Sequence, residues 1–136
     1  MDTKNLLTQL KFGHQAIIFS LDDLQQAVRS YNQAKPKLRA LQNTLLDHFS
    51  LMKNDLYDFL RAQLQNDSQA LKTIEFLDFD IKDIKIKTLV FFDEFPADMG
   101  DVHPVNFPKK FSDYTHELAA HLRTERQKLF PLLERL

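Results

Sequence analysis

Two stretches of this chain align without a gap: HFSLMKNDLYDFL at residues 48–60 and HLRTERQKLFPLL at residues 121–133. Each begins with a His and an apolar residue, has a basic residue at the fifth place after the His, and continues with Leu, an aromatic residue and a closing Leu. Their His and apolar positions recur every three or four residues, which is the spacing of one face of an α-helix. The repeat therefore predicts two related helices, each with a His on its apolar face.

The second copy of the repeat adds a carboxylate to this face. Glu125 follows His121 by four residues, so the two side chains lie one turn apart on one side of the helix. The first copy has Met52 at the corresponding place after His48. His and carboxylate side chains from different helices of a bundle form metal sites, and this pair of ligand types suits iron, manganese or zinc. The repeat is therefore also a candidate metal site.

Gly and Pro divide the rest of the chain. Pro36 follows a polar stretch and suits the first turn of a helix, and Asn66-Asp67-Ser68 is a polar break that offers N-caps. The stretch from Phe95 to Lys109 contains three prolines and one glycine, so we predict a loop there. We expect His103, in this loop, and His116 to face solvent.

Four segments result, at about residues 3–32, 35–65, 68–95 and 108–135, and apolar residues recur at helical spacing in each. Residues 84–87 alternate like a strand, but the longer period continues through them and predicts helix. Two short connections and one longer one predict an all-α fold, an up-down-up-down four-helix bundle, in a single domain spanning residues 1–136. A coiled-coil dimer of helical hairpins is the alternative architecture.

The composition excludes several classes of protein. The 136 residues are 43% apolar and 27% charged, which is typical of a globular domain and not of a disordered chain. With 18 basic and 19 acidic residues, the chain has no excess positive charge to attract nucleic acid or an anionic membrane. It has no Cys for thiol chemistry or iron–sulfur clusters, and its two Gly cannot build a Gly-rich phosphate loop. Without a membrane-spanning or signal segment, we expect a cytoplasmic protein.

Counting residues from the predicted turns brings five side chains to nearly one level of the bundle. His48 and His121 lie equally far from the starts of their segments, so their imidazoles share a layer and Glu125 lies in the next. His14 and Asp80, on the antiparallel neighbours, fall within about one turn (~5 Å) of that second layer. The candidate metal ligands are thus His14, His48, His121 and Glu125, with Asp80 as an additional one.

The pattern His121-x-x-x-Glu125 followed by Leu-aromatic-Pro, with its second copy at His48, resembles the hemerythrin-like (HHE cation-binding) family. The resemblance extends over residues 37–133 and includes Asn106-Phe107 at the start of the last helix. It implies a four-helix bundle that holds a di-iron centre and binds oxygen or nitric oxide, senses iron or redox state, or repairs stress damage. His14 falls where the family usually keeps its first His ligand.

The chain also departs from this family. Met52 stands where the family has a bridging Glu, Asp58 stands where it has Pro, and the third segment supplies no family-type His. Because a thioether is a poor ligand for hard iron, we expect one metal ion in preference to a pair. A metal-free polar core, in which the His side chains hydrogen-bond to one another, to Glu125 or to Tyr114, is the alternative, and so is a solvent-facing Glu125.

We therefore expect a small binding or sensor protein, not an enzyme, whose iron or other first-row metal ligates oxygen or nitric oxide in a stress response. The alternative is a metal-free regulatory or scaffold bundle that acts by protein–protein contact. Aromatic side chains surround more than one side of the third helix, which indicates either a helix that is buried on all sides or, in favour of the alternative function, an exposed docking patch. They are Phe76, Phe79, Phe91, Phe92 and Phe95.

Overall fold

The computed structural model of the protein describes residues 1–97 and 104–136. Within these residues the chain forms helices and no strand. The helices are α1 (Thr3–Gln26), α2 (Tyr31–Leu51), α3 (Asn54–Gln63), α4 (Ser68–Glu94), α5 (Phe107–Thr124) and α6 (Phe130–Glu134), with a π-helical turn (Glu125–Leu129) between the last two. None of the described helices is both long enough and apolar enough to cross a membrane. His103, in the predicted loop, lies outside the described residues.

The helices form four rods around one apolar core. The first rod is α1, the second is α2 followed by α3, the third is α4, and the fourth is α5 with the π turn and α6. α1 packs against α2 and α6, while α4 packs against α3 and α5. The prediction of an all-α, up-down-up-down four-helix bundle is confirmed, and residues 84–87 are helical as predicted.

The first connection lies earlier in the chain than the sequence predicts. α1 ends at Gln26 and α2 begins at Tyr31, so Pro36 lies inside α2 and not in its first turn. Burial of Tyr31 explains the extension, since its hydroxyl donates to the carbonyl of Pro96 and its ring packs against Phe107. The second predicted break is confirmed, because the Asp67 carboxylate caps α4 by accepting from the Ala70 amide at 3.0 Å.

The sequence predicts one continuous helix for the second rod, and this prediction is wrong. The rod breaks between α2 and α3. Lys53 adopts an extended conformation, and the carbonyl of Met52 accepts a hydrogen bond from the Lys85 side chain of α4 at 3.2 Å. The break changes which residues face the core. Leu56 and Tyr57 are buried, whereas Asp55 is exposed.

The fourth rod contains one π turn directly before Pro131. A proline in a regular α-helix has no N–H to donate, and its ring clashes with the carbonyl four residues earlier. Here the preceding turn widens, and the Phe130 amide donates to the carbonyl of Glu125, five residues back. The extra residue moves the buried face from Lys128, where the regular period predicts it, to Leu129.

Candidate metal centre

Each rod contributes to one polar cluster in the core. His14 comes from α1, His48 from α2, Asp80 from α4, His121 from α5 and Glu125 from the start of the π turn. The three His and Glu125 are at most 5% exposed, and Asp80 reaches in from the edge of the core. The structure thus brings together all five side chains that the sequence nominates.

One carboxylate oxygen of Glu125 is the centre of this cluster. Its Oε1 lies 2.8 Å from His14 Nε2 and 2.9 Å from His48 Nε2. An imidazole N–H donates to a carboxylate oxygen, so in the metal-free chain we place a hydrogen on each of these Nε2 atoms. The Nδ1 atoms of both rings are buried and have no hydrogen-bond partner among the described residues.

The second oxygen of Glu125 faces His121. Oε2 lies 3.1 Å from His121 Nε2, but the two atoms are not aligned for a hydrogen bond. The other nitrogen of His121, Nδ1, donates to the Asp80 carboxylate at 2.6 Å. Asp80 therefore holds the His121 ring and lies behind it, on the side away from Glu125.

These contacts fix the charges in the cluster. Burial alone lowers the pKa of His121, but the hydrogen bond to Asp80 and the contact with Glu125 outweigh it and raise the pKa to about 9. Burial also disfavours the Glu125 carboxylate, yet the contacts with His121, His14 and His48 hold its pKa well below the usual range. A protonated His121 therefore lies between two carboxylates, and the half-buried Lys85 ammonium is close enough to interact with Glu125 as well. The charge of Glu125 is thus balanced by the side chains around it.

The donor set fits one first-row metal ion. His14, His48 and Glu125 each offer a ligand atom, and these three atoms all lie within 4.8 Å of one another. Ligand atoms about 2.1 Å from a six-coordinate metal lie about 3 Å from their nearest neighbours. The observed N···O separations of 2.8 and 2.9 Å match that spacing. Two His and one carboxylate with further positions open is a donor set typical of non-haem ferrous iron.

Four residues around the cluster were not nominated from the sequence. The Phe130 ring covers His14, with centroids 4.9 Å apart, and Gly13 leaves space for His48, because a Cβ at Gly13 would lie 3.1 Å from His48 Nδ1.

Burial and the negative charges of Glu125, Asp78 and Asp80 raise the pKa of Tyr57. Burial lowers the pKa of Lys85, although Asp78 and Glu125 oppose that shift. Tyr57 and Phe130 are the matched aromatic residues of the repeat, which is the sequence signal that marks them.

The predicted aromatic patch on the third rod is only partly exposed. Phe76 and Phe79 face solvent, but Phe91, Phe92 and Phe95 lie in the core. The last three rings pack against Tyr114, Phe107 and Phe111 of α5, which explains why they turn inward. His116 is exposed, as the sequence predicts.

Comparison with known families identifies the chain. The model of the hemerythrin HHE cation-binding domain matches residues 5–133, nearly the whole length, and the matched region includes all five residues of the cluster. Neither the curated proteins nor the solved structures give a match. The resemblance noted in the sequence is confirmed, and the protein belongs to the hemerythrin HHE cation-binding family.

Proposed function

We propose that the protein is a binding or sensor protein that holds one ferrous ion through His14, His48 and Glu125. The observation that carries this proposal is the convergence of both Nε2 atoms on Glu125 Oε1 in a buried cluster. Coordination through Nε2 would require the ring hydrogen of each His to lie on Nδ1, and Glu125 would supply the carboxylate ligand in place of accepting their two hydrogen bonds. His121 and Asp80 then hold Glu125 in place from the other side.

The donor count supports one ion in preference to two. On the Oε2 side of Glu125, a second ion would find Nε2 of His121, 3.1 Å from Oε2, on a ring that Asp80 holds through Nδ1. Met52, at the place of the bridging Glu in the family, offers a thioether. The half-buried Lys85 ammonium is also close enough to interact with Glu125, so the protein already supplies a cation near this carboxylate.

We propose that the iron site takes a small gaseous ligand and that the protein does not act as an enzyme. Ferrous iron with open positions binds oxygen and nitric oxide. The three His and Glu125 are at most 5% exposed, so a larger substrate would have to displace packed core side chains to reach the centre. Apolar side chains and the Phe130 ring exclude water from the cluster, which favours a diatomic ligand over an ionic one.

Anaerobic loading with ferrous salt tests this function. After removal of free metal, elemental analysis is expected to give one iron per chain, and nitric oxide is expected to change the absorption spectrum of the loaded protein. His48→Gln is expected to lose the iron while retaining its helical circular dichroism. His116→Ala, which removes an exposed His, is the matched control and is expected to retain it. Wild-type protein that binds no iron contradicts the proposal.

A second candidate function is a metal-free scaffold that acts by protein contact. It is favoured by the outer face of α4, where Phe79, Ile86, Leu89 and Val90 are 61–72% exposed. Met52→Glu discriminates between the two functions. A gain of tight metal binding indicates a degenerate metal site, whereas no gain in a chain that also binds no iron favours the scaffold.

A further inference from the structure

The outer face of α1 carries two exposed aromatic rings in one line. Phe12 is 67% exposed and Phe19 is 72% exposed, and they are seven residues apart. They point away from the core-facing side of α1, which carries Leu10, His14, Ile17, Leu21 and Leu24. A single exposed Phe needs no explanation, but two on the centre line of one helix form an apolar strip.

The centre of this strip carries no charge. Thr8, Gln15 and Ala16 lie between and beside the two rings, and all three are exposed. Ala16 is small, so a second helix can approach closely between the rings. The strip defined by Phe12, Gln15, Ala16 and Phe19 is therefore a surface that another helix can cover without burying a charge.

The charges along one edge of the strip are divided between its two ends. Lys4 and Lys11 lie toward the start of α1, and Asp22 lies toward its end. Lys4 and Asp22 form no ion pair with any residue of the described ranges, and Lys11 has one exposed contact at 3.8 Å, with Glu134. These charges are free to pair with a partner whose charges run in the opposite order.

We propose that α1 is the interface of a two-fold symmetric homodimer in which the two α1 helices pack antiparallel. With the two-fold axis between Gln15 and Ala16, Phe12 of each copy packs against Phe19 of the other. With this axis, the edge of the strip that carries Lys11 and Asp22 lies beside the same edge of the second copy. Lys11 then lies within two residues, about 3 Å along the helix axis, of Asp22 of the other copy.

The charge order excludes the parallel arrangement and distinguishes this face from the one on α4. A parallel two-fold pair would put these edges on opposite sides of the interface and leave Lys11 and Asp22 of different copies about 16 Å apart along the helix axis, so they could not pair. On α4, the charges beside Phe79 and Ile86 are already paired within the chain: Lys82 with Asp78, and Lys87 with Asp83 and Glu117. On α1, by contrast, Asp22 has no ion-pair partner in the described chain and Lys11 has the long exposed contact with Glu134, so both can pair with a second copy of this chain.

Sedimentation equilibrium of the full-length protein and four variants tests the dimer. Wild type is expected to be a dimer. Phe12→Ser with Phe19→Ser is expected to weaken association at least a hundredfold, because four buried rings are lost across the interface. Phe79→Ser removes an equally exposed ring from α4 and is the matched control, expected to leave the dimer unchanged.

Charge exchange tests the antiparallel order. Lys11→Asp and Asp22→Lys are each expected to weaken the homodimer about tenfold, because each places like charges together at both ends. An equimolar mixture of the two variants restores both opposite-charge pairs and is expected to dimerise as tightly as wild type. A monomeric wild type overturns the proposal, and so does a dimer that Phe79→Ser dissociates or a mixture that is no tighter than its components. None of these measurements requires metal, so they are independent of the proposed iron site.

Discussion

Glu125 Oε1 lies 2.8 Å from Nε2 of His14, a residue 111 positions earlier in the chain. This contact joins the first rod of the bundle to the last, and the same oxygen also contacts His48 at 2.9 Å. Two imidazoles from the α1–α2 hairpin therefore depend on one carboxylate for their only hydrogen bonds within the described chain. The fold and the proposed metal centre share this oxygen atom.

Removing the charge of Glu125 is expected to destabilise the metal-free protein as well as abolish metal binding. Glu125→Gln keeps the side-chain volume but leaves a buried, protonated His121 without its second counter-charge. We expect a loss of about 3 kcal/mol in the free energy of unfolding, the magnitude typical of a broken buried ion pair, measured by urea denaturation. Glu117→Gln, which breaks an exposed pair with Lys87, is the control and should cost less than about 1 kcal/mol. Equal losses in the two variants would contradict the assigned charges.

The raised pKa of His121 predicts a loss of stability at alkaline pH. In the unfolded chain a His titrates near 6.5, and in the folded chain burial is outweighed by Asp80 and Glu125, which raise the pKa to about 9. The favourable contribution is complete below pH 6.5 and disappears as the pH rises through 9. It amounts to roughly 3 kcal/mol in the metal-free protein. NMR titration of the His121 ring is the direct measurement, and a midpoint at or below 6.5 would contradict this account.

Acid is expected to destabilise the metal-free protein through Glu125. Burial opposes its ionisation, but three imidazoles hold its pKa well below the usual range. Its contribution is therefore present above about pH 4.5 and is lost as the pH falls toward its folded pKa. The stability of Glu125→Gln, followed by urea denaturation across this range, should fall less steeply with acid than that of the wild type. Parallel pH profiles for the two proteins would argue against an ionised Glu125.

Asp80→Asn tests whether Asp80 acts through His121. The amide keeps the shape but removes the charge that holds the imidazole protonated. The pKa of His121 should fall toward 6.5, and metal affinity should decrease about 10–100-fold with one metal still bound per chain. Asp83→Asn, which changes a half-exposed carboxylate on the same helix that pairs with Lys87, is the control. A changed metal stoichiometry would instead make Asp80 a direct ligand.

Gly13→Ala separates helix stability from site geometry. Alanine favours the helix by about 1 kcal/mol over glycine, but its Cβ would lie 3.1 Å from His48 Nδ1. That nitrogen must carry the hydrogen when Nε2 binds metal. We expect metal affinity to fall about tenfold, since moving a ligand His aside costs roughly 1–2 kcal/mol, while the unfolding free energy does not fall in parallel. Gln25→Ala, exposed on the same helix, should leave affinity unchanged, and an unaffected affinity in Gly13→Ala would contradict the steric argument.

The sequence predicts the rods better than their interruptions. Helical periodicity and the polar break at Asp67 suffice for four rods, because both are local properties of the chain. The break after Met52 and the π turn at Glu125 each shift the buried face by about one residue. No local sequence signal predicts the break after Met52, because the Met52 carbonyl accepts its hydrogen bond from Lys85 of α4, which is distant in the sequence. Pro131 is a local signal for the π turn. It indicates that the regular α-helical hydrogen bonding must be interrupted, but not that the helix widens to do so.

The cluster could be nominated from the sequence because its residues recur at matching heights along the rods. Counting residues brought His14 and Asp80 to the level of Glu125, but it could not assign partners to individual atoms. That Asp80 binds the far nitrogen of His121, and that Gly13 leaves space for His48, depends on how rods separated in sequence rotate against each other. Side-chain orientation across a bundle is set by packing and not by the spacing within one helix.

A crystal structure of the ferrous-loaded protein, with anomalous scattering measured at the iron edge, tests the central claim most directly. The account predicts one anomalous peak, in contact with His14 Nε2, His48 Nε2 and Glu125 Oε1, with Asp80 still bound to His121. A peak outside this cluster, two peaks bridged by Glu125, or no peak at all would contradict it.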